Sequence, residues 1–206
     1  MMRKVRYLVA GCLLAAGSTS NAALINFTGQ IEYHNDVVYN YFTLDSDATD
    51  VRMWTDSFKS GENFDPITAL WNADNGALID ENDDDDNINP DTQTYYDSGL
   101  NLGSLSAGDY LFTVATYRNF AAGSNLSDGF NYDGQAPIPL AEWDQPANDV
   151  DMGPNWSVWL DNVDRASNPD DPDDSDDPAS VPEPGTLALF SLGLLGLVAS
   201  RRQKSA

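Results

Sequence analysis

The chain has 206 residues and a net charge of −23, with 33 Asp and Glu against 10 Lys and Arg. Such a surface repels phosphate backbones and anionic lipid, which excludes a nucleic-acid-binding role, and it favours divalent cations. Cys12 is the only cysteine and His34 the only histidine. That leaves no disulfide framework, no thiol nucleophile beyond the first residues and no ordinary Cys/His zinc set.

At the N-terminus Arg3, Lys4 and Arg6 precede an apolar run, and Ser18 to Ala23 are small or polar. Residues 1–22 read as a secretory signal peptide with cleavage between Ala22 and Ala23, which implies passage through the Sec machinery and a signal peptidase. Val9-Ala10-Gly11-Cys12 is similar to a lipoprotein processing box. Too few apolar residues precede it, so lipidation of Cys12 is the weaker reading.

The body, residues 23–163, carries short segments rich in β-branched and aromatic residues, separated by Asn, Asp and Gly. Strands are predicted over residues 24–32, 37–44, 50–55, 66–72, 77–80, 109–118 and 155–163. No long window has a helical period. The fold class is therefore all-β, an antiparallel jelly-roll-like sandwich. Alternation assigns Tyr110, Phe112 and Val114 to the core, with Phe42 and Leu44, and with Trp156, Val158 and Leu160. Asn40 and Thr43 are expected on the turn side or exposed, Trp159 on the wetter face, and His34 in a surface loop.

The order Phe64-Asp65-Pro66, Leu70-Trp71, Gly76-Ala77-Leu78-Ile79, Glu81-Asn82-Asp83-Asp84 and Leu105-Ser106-Ala107-Gly108-Asp109-Tyr110 resembles bacterial pre-peptidase C-terminal-like domains. That resemblance spans about residues 37–118 and implies a non-catalytic extracellular sandwich. This chain departs from it by inserting a segment over 120–153.

Residues 164–180 change character: Asn168 to Pro178 hold aspartates and prolines and no apolar residue. Self-repulsion and stiff prolines predict a disordered acidic linker. Residues 181–206 then read Val181-Pro182-Glu183-Pro184-Gly185, a charge-free stretch over 187–199, and Arg201-Arg202-Gln203-Lys204. As a hydrophobic helix the apolar stretch would be about 20 Å long, below the ~30 Å of a hydrocarbon core. The basic end directs itself to the cytoplasm. Motif, apolar run and basic tail in this order resemble the PEP-CTERM sorting signal of Gram-negative bacteria. The resemblance makes Pro182, Glu183 and Pro184 the sorting motif, the apolar run a transmembrane segment before processing, and exosortase the partner.

Chemistry concentrates in one acidic run. Asp80, Asn82, Asp83, Asp84, Asp85, Asp86 and Asp91 offer the hard oxygens that Ca2+ takes in sets of six to eight, and Asp97 lies downstream. The run is no EF-hand, because Ile88 and Thr94 stand where a glycine and a glutamate are needed. Trp54 and Trp159 are candidates for stacking a sugar ring, against the plainer role of half-buried sandwich aromatics. Paired carboxylates across a cleft would suit a glycosidase, yet among so many acids some pair forms by chance. The expected function is that of an exported, non-enzymatic cell-surface or extracellular-matrix protein, associated with the outer membrane or with extracellular polysaccharide. The alternative is a calcium-dependent carbohydrate-binding module.

Overall fold

The computed structural model describes residues 23–145 and 152–169. The signal peptide, the sorting motif, the apolar stretch and most of the acidic linker lie outside those residues. Among the described residues nine strands form the body: β1 (Ala23–Gln30), β2 (Val37–Leu44), β3 (Ala48–Thr55), β4 (Pro66–Asn72), β5 (Leu78–Asn82), β6 (Gly99–Leu105), β7 (Gly108–Thr116), β8 (Asn155–Val163) and β9 (Arg165–Ser167). A four-stranded sheet has the order β1-β8-β3-β6 and a five-stranded sheet the order β5-β4-β7-β2-β9. Every strand pairing is antiparallel. The expected all-β sandwich is therefore the fold.

The two sheets meet over Phe42, Leu44, Val51, Met53, Leu70, Tyr110, Phe112, Val114, Trp156, Val158 and Leu160. These are alternate residues on their strands, so one face of each sheet turns inward. The opposite face of β4 and β7 is also apolar, and Ala69, Trp71 and Leu111 form a second cluster with Phe130. This explains why β4 is buried at six successive positions. A strand covered on both sides has no polar face to alternate with.

The cover comes from the inserted segment. Leu78 N–H donates to Ser124 O and Leu126 N–H to Gly76 O, which ties the insertion to the β4–β5 turn. Gly76 has φ +72, a conformation open to glycine in the Asn75-Gly76 turn. Further on, Tyr132 and Trp143 bring their rings to 5.3 Å from the His34 ring. His34 is consequently 1 % exposed, not the surface residue expected. Its Nδ1 accepts from Ile138 N–H, and Nε2 meets Gln135 Oε1 at 3.2 Å.

Two further expectations change. Asn40 is fully buried because β9 and Asn168 cover it: its side chain donates to Phe112 O and accepts from Asn168. The folded body also runs past residue 163, since β9 pairs with β2 and Asp164 N–H donates to Thr43 O. β6 and β9 have no counterpart among the expected strands.

Candidate metal centre

β4 and β5 are antiparallel neighbours, with Thr68 opposite Asn82. The start of β4 therefore lies beside the chain just past the end of β5. Asp65 immediately precedes β4, and Asp83 and Asp84 immediately follow β5. One carboxylate oxygen from each of the three lies within 4.8 Å of the other two. Pro66 needs no ladder donor at the first position of a strand and holds Asp65 extended. Asp65 is fixed from the other side too, because its carbonyl accepts from Tyr117 N–H at 2.9 Å just beyond β7.

The electrostatics of the three are uneven. Asp65 is 1 % exposed, and its Oδ1 has no hydrogen-bond partner. Burial, then the charges of Asp84, Asp83 and Asp97, push its carboxyl up to about 8. Burial and the neighbouring Asp84 push Asp83 up to about 6, against an opposing pull from Arg118. Asp83 Oδ1 is likewise buried without a partner. Asp84 reaches further into solvent and is also raised, by burial and by Asp86. Among the described residues the ion pairs are Arg52–Asp161 and Arg165–Asp45, so no Lys or Arg is paired with these three carboxylates.

Asp97 is the contrast. It is fully buried, but its Oδ1 accepts from Thr55 Oγ1 and Phe58 N–H, and its Oδ2 from Thr94 N–H and Oγ1. Burial raises it and those donors lower it. Its oxygens are committed to pinning the loop before β4 against the loop before β6.

Of the expected ligands, only Asp83 and Asp84 enter the cluster. Asn82 spends its amide on Gly99 O and Asp83 N–H. Asp80 Oδ1 accepts from Glu81 N–H, Asp85 Oδ1 from Asn87 N–H, and Asp86 Oδ1 from the Asn87 amide. These are local contacts, the first two to nearby backbone as Asp and Asn commonly make and the third to a neighbouring side chain. Asp91 is exposed. Asp65 was not among the expected ligands, although the Asn75-Gly76 turn, by folding β4 onto β5, was the signal that points to it.

The aromatic candidates fare differently. Trp54 and Trp159 are paired in register and stacked with ring centroids 6.1 Å apart. Trp54 is only 1 % exposed, so it presents no open face to a sugar. Trp159 is half-buried and donates its indole N–H to Asp56 Oδ2 at 2.8 Å. A cleft of about 680 Å³ has Gln30, Asp56, Lys59, Asn63, Asn155 and the buried Trp156 on its walls; Trp159 does not line it and is linked to it only through Asp56.

The described body is a two-sheet antiparallel β-sandwich with one acid-lined edge. The chain's address comes from elsewhere: residues 180–203 match the PEP-CTERM protein-sorting motif. That match marks an exported protein sorted by exosortase, destined for the cell surface or extracellular space of a Gram-negative bacterium. No curated protein matches the chain. Among the described residues no helix is long and apolar enough to cross a membrane; the apolar stretch expected to do so lies outside them.

Proposed function

We propose that the sandwich is a non-enzymatic surface or matrix module, delivered by exosortase and held in contact with extracellular polysaccharide. The observation that carries this reading is the sorting-motif match over 180–203, placed directly after an acidic linker sequence. A non-enzymatic role is supported by the state of His34, which is 1 % exposed and has both ring nitrogens engaged by the inserted segment, at Gln135 and Ile138. A general base must reach its substrate's proton.

Replacing Pro182, Glu183 and Pro184 together by alanine tests the sorting step. The variant should stay in the inner membrane at full mass after signal-peptide removal, while the parent loses its C-terminal segment near Val181. A triple variant that reaches the surface with the same processed mass as the parent would overturn exosortase sorting.

A second reading, a calcium-dependent carbohydrate-binding module, is favoured by the polar cleft lined by Gln30, Asp56, Asn63 and Asn155. Its amides and carboxylate are the groups that hydrogen-bond sugar hydroxyls. A glycan array run with calcium and with chelator separates the readings. Binding lost in chelator supports this one, and silence in both conditions removes it.

A further inference from the structure

We propose that Asp65, Asp83 and Asp84 form a calcium site that clamps the start of β4 to the end of β5. Three carboxylate oxygens within 4.8 Å of one another leave room for one ion at the 2.3–2.6 Å that calcium prefers. The second observation is the state of the oxygens. Asp65, 1 % exposed, keeps Oδ1 without a donor, and Asp83 Oδ1 is buried in the same condition. Buried carboxylates are normally paired, hydrogen-bonded or bound to metal. Asp97, equally buried nearby, has four donors. The fold thus supplies donors to both oxygens of buried Asp97 and none to Oδ1 of buried Asp65 or to the buried Oδ1 of the partly exposed Asp83.

The donor set selects the ion. Only hard carboxylate oxygens converge, with no imidazole or thiolate, which suits calcium or magnesium and not zinc or copper. The remaining positions fall to water or loop carbonyls. Calcium accepts irregular geometry, whereas magnesium demands a near-ideal octahedron and sheds its water reluctantly. An irregular trio from a strand start and a strand end fits calcium. The cation whose charge bears on Asp83, Arg118, lies over the Tyr117 ring at 5.3 Å and forms no ion pair with the cluster. The site's negative charge is thus left for a mobile ion.

The test uses the full-length protein purified in detergent, melted in EDTA, in about 10 mM calcium and in about 10 mM magnesium. Extracellular calcium modules bind with Kd values of about 10⁻⁴–10⁻³ M, so calcium should raise Tm by on the order of 5 °C and magnesium by much less. D65N should melt in EDTA no lower than the parent and gain nothing from calcium. Should D65N fail to fold, D84N, altered at a more exposed position, should move the calcium midpoint upward by about tenfold while leaving the EDTA melt close to the parent's. An unmoved Tm with no calorimetric heat in the parent overturns the site. So does an unchanged calcium response in D65N or, where that variant does not fold, in D84N. An equal response to magnesium overturns the assignment to calcium.

Discussion

Replacing Asp97 by asparagine isolates the hydrogen-bonding role of a buried carboxylate, because size and shape are kept. Each carboxylate oxygen accepts from one hydroxyl and one backbone N–H: Oδ1 from Thr55 and Phe58, Oδ2 from Thr94 twice. An amide retains one such oxygen and turns an NH2 toward the other pair. The hydroxyl of that pair can rotate to accept; the backbone N–H cannot. One buried N–H is stranded at about 1–3 kcal/mol, and the surviving bonds lose their charge assistance, about 1 kcal/mol more. Removal of the charge eases Asp65, but Asp97 is the smallest of the causes that raise it. The expected loss is therefore about 2–4 kcal/mol, a large part of the ~5–15 kcal/mol that holds a domain together. Equilibrium urea unfolding followed by tryptophan fluorescence, at fixed calcium, reads it directly. The slope with urea should stay at the parent's value. A loss below about 1 kcal/mol would mean that the loop finds other acceptors and that Asp97 is not its pin.

Two more outcomes follow from the packing and the charges. Phe130 meets Trp71 edge-on at 6.0 Å and is 6 % exposed, so F130A should cost about 3 kcal/mol in the same unfolding assay. A loss under about 1 kcal/mol would show that the insertion merely lies on the sheet. In EDTA, stability should fall as pH rises from about 4 to about 8. The folded Asp65 carboxyl titrates at about 8, above its unfolded value, so its contribution is complete at low pH and lost on the way up. The span amounts to up to about 4 kcal/mol at pH 7. Asp83, raised to about 6, adds to the lower half of that window. Thermal melts across the range check the sign, and a melting temperature that rises from pH 5 to pH 8 in EDTA would refute it.

The strands with strong local signals were legible. β2, β4 and β8 have the limits that β-branched and aromatic density assigns them. β6 was not, because Gly-Leu-Asn-Leu-Gly-Ser-Leu carries low strand propensity and is held extended by its ladder to β3. There Gly99 is required by close approach, since a Cβ would come within 2.4 Å of Met53 O. β9, Arg-Ala-Ser, has no local signal at all and exists through its pairing with β2. Asn40 and His34 were misplaced for the same cause: each is covered by chain far from it in sequence.

The acidic centre repeats that lesson at the level of chemistry. Local density along Asp80 to Asp91 measures how many carboxylates the chain could offer. Burial and donor supply decide which ones need a cation. Part of the run satisfies itself locally: Asp85 accepts from Asn87 N–H in an Asx turn, Asp80 from Glu81 N–H and Asp86 from the Asn87 side-chain amide, and an aspartate so engaged in solvent gains little from metal. Asp65 stands alone between Phe64 and Pro66 and looks like turn chemistry, yet the β4–β5 register carries it under Asp83 and Asp84, and burial strips it of water. The residue that makes the site costly without an ion is thus the one with the weakest local signal. Its identity was recoverable only by pairing the two strands about Asn75-Gly76 before counting charges.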